Sequence, residues 1–561
     1  MSDLTKDTET TVLIEEHDIE SCSRISEYDS CESILDPHGE VELIPDTKVF
    51  STVPNFYWIE VTLLINVFLS GFDGTVTAST YTVIGNEFNA ANLASWITTS
   101  YLITSTSFQP LYGSFSDVIG RRKCCFFASG TFALGCLGCS LANNITILNL
   151  SRALTGVGGG GLITLSTIVN SDIIIPKKRG LFQAVQNLLW GFGAVRGASF
   201  GGLIASTIGW RWCFILQIPP SILAVYVGYK YIRNQPEFDT SNHKLSSLVL
   251  QKIDFAGSFV LVLSLTCQLF VLTLGGNELE WSDYRLILLG IVGVSLMVYF
   301  VYIEIHTKAN PIIPVKRFKS SFTVLLMGQN FLLGLSSYAY LFALPLLFQL
   351  VLGDSTAKAG LRLAIPSLAT PIGGIITGVM MNKYEVLKVL VYSGTFIMAT
   401  GNFLSMLVGP GMSGWLLSLL LMPSNLGQGM AYPSSLFTFI FAYGTEHQAT
   451  STSTIYLSRS VGGVFGVTSV SVIVQAYLKY KLTDDLSDLT DLKKHQIHKI
   501  VKAITRSTDA IYELSPEIQK FVLQDYESAI RLAQLFFSVC CGLAFVLCIL
   551  RDVLGSKPNI C

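Results

Sequence analysis

The sequence predicts an all-α integral membrane protein of about fourteen transmembrane helices. Three observations carry this expectation. Hydrophobic residues make up 50% of the chain and charged residues only 14%, with a mean hydropathy of +0.52. A soluble domain carries about a quarter charged residues, so this chain cannot cover its surface in water and its apolar excess must face lipid. Apolar runs close to the ~20 residues that cross a bilayer recur along its length. Lysine and arginine gather in alternate loops between those runs.

Residues 1–55 read as a disordered acidic cytosolic tail. Within residues 1–50, 14 Asp/Glu stand against 3 Lys/Arg, a local balance of −11, with no sustained apolar period. The segment lacks the basic start and apolar stretch of a signal peptide, so insertion is expected through the first span. The apolar runs follow at 58–80, 94–113, 124–142, 148–170, 181–206, 213–230, 253–275, 286–303, 322–350, 359–380, 386–408, 413–437, 449–477 and 529–550.

Basic residues orient these spans. Loops after even-numbered spans contain "GRRK" (120–123), "PKKRG" (176–180), "KYIRN" (230–234), "HTKANPIIPVKRFK" (306–319) and "NKYEVLK" (382–388). The odd loops 81–93 and 143–147 have no Lys or Arg, 207–212 has only Arg211, and 276–285 only Arg285. Because positive residues stay cytosolic, the even loops and both termini are expected there. The stretch 478–528, charged with both signs, then lies on the far side and reads as a small amphipathic helical cap.

Composition narrows the function classes. A net charge of −2 gives no footprint for nucleic acid. The 12 cysteines follow no metal-binding spacing and read as small apolar packing residues, although Cys124 and Cys125 sit at a membrane edge where acylation occurs. There is no HExxH, no Ser/His/Asp order and no paired catalytic carboxylates. An enzyme, a metal and a cofactor are therefore not expected. The run "GVGGGG" (156–161) lacks the Lys-Ser/Thr of a phosphate loop and sits inside a span, where small residues serve helix packing.

The stretch "GSFSDVIGRRK" (113–123) interrupts two apolar runs. Gly113 allows close backbone approach, Asp117 accepts hydrogen bonds, Gly120 permits a tight turn, and Arg121, Arg122 and Lys123 hold the loop on the basic side. A purely topogenic basic turn needs none of the first three. This stretch resembles the loop signature between spans two and three of the major facilitator superfamily. The resemblance implies a conformational latch made by Gly113, Asp117, Gly120, Arg121 and Arg122.

Further motifs follow in order. "FDGTVTAS" (72–79) is similar to the first-span aspartate motif of the fourteen-span drug:proton antiporters, and "SRALTGVGGGG" (151–161) to the fourth-span arginine motif. "GFGAVRGASFGG" (191–202) resembles the fifth-span antiporter motif, with Gly193, Gly197, Gly201 and Gly202 in place, and "GWRWCFILQIPP" (209–220) the family's run into span six. Ala198 stands where the family usually has Pro, and Arg196 adds a charge inside the span. "FQPLYGSFSDVIGRR", "GGLITLSTIVNSDI" and "GWRWCFILQIP" look like the fungal vacuolar basic amino acid transporters of this branch. The resemblance covers about 55–550. It implies two six-helix halves (56–232 and 320–551), with the extra pair 253–305 between them, rocking about a central site. It further implies import of basic amino acids into the vacuole in exchange for lumenal protons.

Charges within the spans are the candidate machinery. Asp73 reads as a proton or cation site, or else as a packing acid bonded to a neighbour. Arg152 resembles the family's proton-coupling arginine, or anchors at an interface. Asp172 and Arg459 ("YLSRSVGG", 456–463) lie near cytosolic helix ends and read as structural pairs between helices, although Arg459 too resembles a feature of the fourteen-span branch. Asn170, Gln186, Trp190, Tyr338 and Gln349, with Tyr101, Gln109 and Tyr340, are candidates for a polar substrate cavity, or for packing positions. In the tail, "ETTVLI" (Glu9, Leu13, Ile14) fits an acidic dileucine signal read by adaptor complexes, or is a chance match. "NIT" (144–146) is a glycosylation sequon close to the membrane. The expected partners are protons, a small basic amino acid or cationic drug, the lipid bilayer and an adaptor complex. A plasma-membrane multidrug exporter and a non-transporting nutrient sensor are the alternative readings.

Overall fold

Among the described residues, turn chemistry and apolar period divide the chain into sixteen helices and a small hairpin. The computed structural model describes residues 31–35, 41–45, 54–88, 96–174, 176–232, 254–275, 279, 281–307, 312–313, 318–354, 356–384, 386–443, 448–489, 511 and 515–554. Two compact units, Met1–Glu60 and Val61–Cys561, make up the chain. In the first, β1 (Cys31–Leu35) pairs antiparallel with β2 (Val41–Pro45), Cys31 opposite Pro45. This pairing lies within the segment expected to lack order. Glu9, Leu13 and Ile14 lie outside the described residues.

The helices are α1 (Phe56–Glu87), α2 (Trp96–Ile119), α3 (Arg121–Leu141), α4 (Ile145–Ile173), α5 (Pro176–Thr207), α6 (Arg211–Ile215), α7 (Ile218–Tyr231), α8 (Phe255–Leu274), α9 (Tyr284–His306), α10 (Ser321–Leu346), α11 (Thr356–Ser367), α12 (Ala369–Tyr384), α13 (Leu387–Ser405), α14 (Gly414–Tyr443), α15 (Gln448–Leu489) and α16 (Pro516–Leu554). Each of the fourteen expected spans falls on one helix or, for α6–α7 and α11–α12, on a consecutive pair. Ten helical stretches among the described residues are long and apolar enough to cross a membrane. Of the cap expected at 478–528, the first part continues α15 to Leu489 and the last begins α16 at Pro516.

Capping residues set several boundaries. Asn144 caps α4 by accepting from the Ile147 N–H at 2.8 Å, which ties up the sequon side chain. Asp254 and Asp283 cap α8 and α9. Pro345 lacks the amide hydrogen that a regular helix needs, and α10 passes beyond it into a π-turn over Leu347–Val351.

Packing follows residue size. The α1–α5 crossing is set by glycine: a Cβ on Gly193 would strike the Phe68 carbonyl, and one on Gly197 the Phe72 carbonyl and the Thr75 hydroxyl. Thr75 Oγ1 then donates to the Ala194 carbonyl at 2.7 Å across the same crossing. The 156–161 glycines likewise bring α4 against Tyr101 and Ser105 of α2 and Ala128 of α3, which is helix packing.

The two groups of helices meet along two seams, α2 against α15 and α5 against α12. The extra pair seals one seam. Leu261 and Leu265 of α8 and Phe300 of α9 pack with Leu111 of α2, and Leu457 and Val461 of α15 join them. The outer face of α9 stays exposed, with Ile287, Ile291, Val294 and Val298 open to the surroundings, as a lipid-facing helix requires. A valine at Gly193 is expected to lower the melting temperature of the detergent-solubilised protein, since overpacking a tight crossing costs about 1–3 kcal/mol. A variant that melts like the wild type would refute the close α1–α5 contact.

Candidate functional site

Charge inside hydrocarbon survives only when it is paired, and the first site is such a pair. Asp73 on α1 and Arg152 on α4 are both 0% exposed. Arg152 Nη1 donates to both carboxylate oxygens of Asp73, at 2.8 and 2.7 Å. Its Nε donates to the Ile97 carbonyl of α2 at 3.0 Å, and its guanidinium carbon lies 4.6 Å from the Tyr101 ring centre. Nη2 is buried with no hydrogen-bond partner among the described residues. The glycine-built α1–α5 crossing lies beside this pair: Gly193 and Gly197 pack on the turns of α1 that hold Phe68 and Phe72. Gly201 is buried and its carbonyl accepts from Cys213 Sγ at 3.6 Å, while neighbouring Gly202 is half-buried.

The second site is at the loop 113–123. Gly120 has φ of 99°, a backbone state suited to glycine, and it starts α3 directly after α2. Arg121 Nη1 donates to Asp117 Oδ1 at 2.7 Å and to Ser116 Oγ at 2.6 Å, and Nε donates to Asp172 Oδ2 of α4 at 2.8 Å. Asp172 thus forms an interhelix pair. Arg122 stacks over Tyr229 of α7 at 4.1 Å. Gly113 packs against Ser453 and Ala449 of α15, so this loop lies on a seam.

The seams are fastened on the face that carries the basic loops. Tyr456 of α15 shares its hydroxyl with Thr167 of α4 at 3.1 Å and accepts from Gln183 of α5 at 3.4 Å. Ser460 donates to Gln109 of α2 at 2.7 Å, and Gln448 to Asp172 at 3.5 Å. On the opposite face a clamp closes the α1–α6 corner. Arg211 and Trp210 donate to the two oxygens of Glu87 at 2.7 and 2.6 Å. The hydrogen bond from Arg211 holds the Glu87 carboxyl below its usual range, with burial opposing it and Trp210 adding to it.

The proposed cavity residues divide. Gln186 accepts from Thr167 at 3.4 Å and donates to the Ser166 carbonyl at 3.3 Å, beside the Tyr456 contact. Asn170, one turn on in α4, is buried with Oδ1 unpartnered among the described residues. Tyr338 packs on Gly463 across the α10–α15 contact. Trp190 supports the α1–α5 crossing with its backbone, where Gly71 meets its carbonyl. Gln349 lies in the π-turn beyond α10, apart from the others. Tyr340 bonds the Leu421 carbonyl inside an apolar core. Arg196 is half-buried near the end of α5, between the Phe192 and Phe200 rings at 4.9 and 5.0 Å.

Arg459 differs from the interhelix ion pair its sequence context suggested. It donates from Nε to Asn330 Oδ1 at 2.8 Å, and from Nη2 to the Tyr432 carbonyl at 2.6 Å and Ser435 Oγ at 2.7 Å. Those partners sit 129, 27 and 24 residues away, on α10 and α14, so no local motif pointed to them. The seam residues Tyr456, Gln183 and Ser460 were likewise not singled out. The only signal available was polarity within apolar runs.

Comparison with known proteins fits this architecture. The family described as Major Facilitator Superfamily matches residues 63–467. Vacuolar basic amino acid transporter 2 of Saccharomyces cerevisiae is 48% identical, over 83% of this chain and 99% of that protein. Multidrug resistance protein fnx1 of Schizosaccharomyces pombe is 34% identical, over 83% of this chain and 87% of that protein. Among solved structures, the human organic anion transporter MFSD10 shares the fold with a TM-score of 0.53 and 12% identity, covering 90% of this chain and 100% of that one.

Two outcomes test this geometry. Arg152→Gln strands Asp73 in a dry site and is expected to cost about 3–5 kcal/mol, whereas adding Asp73→Asn should restore much of that stability. Melting of the three variants in detergent reads the coupling, and additive losses would exclude a direct pair. Glu87 is held below the value of the unfolded chain, so its ionised form stabilises the fold above that value. This contribution fades as pH falls through the lowered folded value. Glu87→Gln should therefore melt below the wild type at neutral pH and alongside it in strong acid. An equal gap at both would disprove the clamp.

Proposed function

The chain belongs to the major facilitator superfamily, and we propose that it carries basic amino acids from the cytosol into the vacuole in exchange for lumenal protons. The observation that carries this reading is the fully buried Asp73–Arg152 pair beside the α1–α5 crossing. A carboxylate in hydrocarbon must hold a cation or a proton. When a proton takes Asp73, its ionic hold on Arg152 is lost, and α1 and α4 are free to repack. When the proton leaves, the guanidinium or a cationic substrate can neutralise the carboxylate again. Proton and cation thus compete for one group, which is the requirement for exchange.

Alternating access supplies the path. The fastened basic face, with Tyr456 and Ser460 bonded to the first group of helices, corresponds to closure toward the cytosol in this scheme. The Arg121 network would hold that state and release it as the helix groups rock. Relatedness to a vacuolar basic amino acid transporter of yeast supports both substrate and membrane. Both termini lie in the cytosol under the same orientation, and the tail signal at Glu9, Leu13 and Ile14 would engage an adaptor complex. Similarity to a multidrug resistance protein supports a second reading, proton-driven export of cationic drugs at the plasma membrane.

Uptake of labelled arginine, lysine and histidine into isolated vacuoles decides between them. Vacuoles with the protein are expected to accumulate these solutes under a pH gradient and to lose that uptake with a proton uncoupler. Asp73→Asn is expected to abolish gradient-driven uptake, also when combined with Arg152→Gln to restore stability, and Asp117→Asn to slow it. Gradient-driven flux that survives Asp73→Asn, or a fluorescent fusion confined to the cell rim, would refute the proposal.

A further inference from the structure

Arg459 is a buried cation without an acid. It is 6% exposed and lies about 16 Å along α15 from Gln448. Asp73, Asp117 and Asp172, and Asp552 pair with Arg152, Arg121 and Arg551 respectively. Arg459 has no ion pair among the described residues. Its bonds go to an amide, a carbonyl and a hydroxyl, and the Tyr432 ring lies 4.3 Å from its guanidinium carbon. These bonds use Nε and Nη2 and leave Nη1 without a partner among the described residues. The Tyr456 ring lies 5.8 Å from the same guanidinium carbon. Burying an uncompensated charge costs several kcal/mol, so the arrangement asks for an anion that is not part of the protein.

The position fits an external anion. Tyr456, one turn before Arg459, bonds Thr167 and Gln183, and Ser460, the next residue, bonds Gln109. Arg459 is therefore flanked on α15 by two residues that bond the other helix group. Tyr101 lies against Arg152 in one helix group, and Tyr338 packs on Gly463, one turn after Arg459, in the other.

We propose that Arg459, braced by Asn330, Tyr432 and Ser435, receives the carboxylate of an amino acid substrate through Nη1. The proposal rests on the amino acid reading above and deepens it. It assigns the two ends of the substrate to different helix groups: the anionic end to Arg459, the cationic side chain toward Asp73. A guanidinium already held by three neutral acceptors is oriented before the anion arrives, so little side-chain entropy remains to be lost. A cation that lacks a carboxylate meets uncompensated positive charge at the same place, which sets amino acids apart from cationic drugs.

The test compares arginine with agmatine, its decarboxylated form, as competitors of labelled arginine uptake into vacuoles bearing the full-length protein. The wild type is expected to favour arginine by about tenfold or more, and Arg459→Gln to erase the preference, with Arg459→Lys keeping part of it. Asn330→Asp is the second variant. It offers Arg459 an internal carboxylate, so it should melt at or above the wild-type temperature and still lose the preference. A wild type that takes both solutes equally would overturn the proposal. So would a normally melting Arg459→Gln or Asn330→Asp variant that keeps full discrimination. Absence of any arginine uptake by the wild type would overturn the transport reading itself, and this proposal with it.

Discussion

Two opposite charges held in contact without water, Asp73 against Arg152, place the strongest constraint on the rest of the structure. Either charge alone would be intolerable at that depth, because the surrounding helices offer a low dielectric and few spare acceptors. Their pairing requires α1 and α4 to keep one relative position. It also needs α2 close enough to supply the Ile97 carbonyl and the Tyr101 ring. The small residues of α4 and α5 meet that demand: glycine at 193 and 197, and through 156–161, removes the side chains that would hold these helices apart.

The same physical rule sorts the remaining buried arginines. Arg121 has two acids and ends at a seam, so its network joins the turn after α2 to the end of α4 and, through Asp172, reaches Gln448 of α15. Arg551 bonds its neighbour Asp552 and Gln329 of α10, tying α16 to α10. Arg196 has two aromatic rings and sits toward a helix end. Arg459 has neutral acceptors only. Counting what each guanidinium touches separates groups that hold helices together from one whose charge is left unbalanced.

The hydrogen bonds between the two helix groups described above are concentrated. Tyr456, Ser460 and Gln448 make them from one stretch of α15, and all lie toward the basic loops. Such contacts are weak enough individually to be exchanged, each worth about 0.5–1.5 kcal/mol net, whereas the apolar contact of α8 and α9 with α2 and α15 is broad. That division would suit the alternating access proposed above.

Much of the fold was legible without coordinates. Length and polarity of the apolar runs determine where helices form, because a backbone in lipid must satisfy its own hydrogen bonds. The glycine at position 120 and the caps at Asn144, Asp254 and Asp283 are local chemistry, read from a few neighbouring residues. The pairing of charges was not legible in this way. Asp73 and Arg152 stand 79 residues apart and Arg459 and Asn330 129 apart, and helical period says which face a residue occupies but not which helix arrives opposite it. Only the packed bundle decided that Arg152 meets a carboxylate while Arg459 meets an amide.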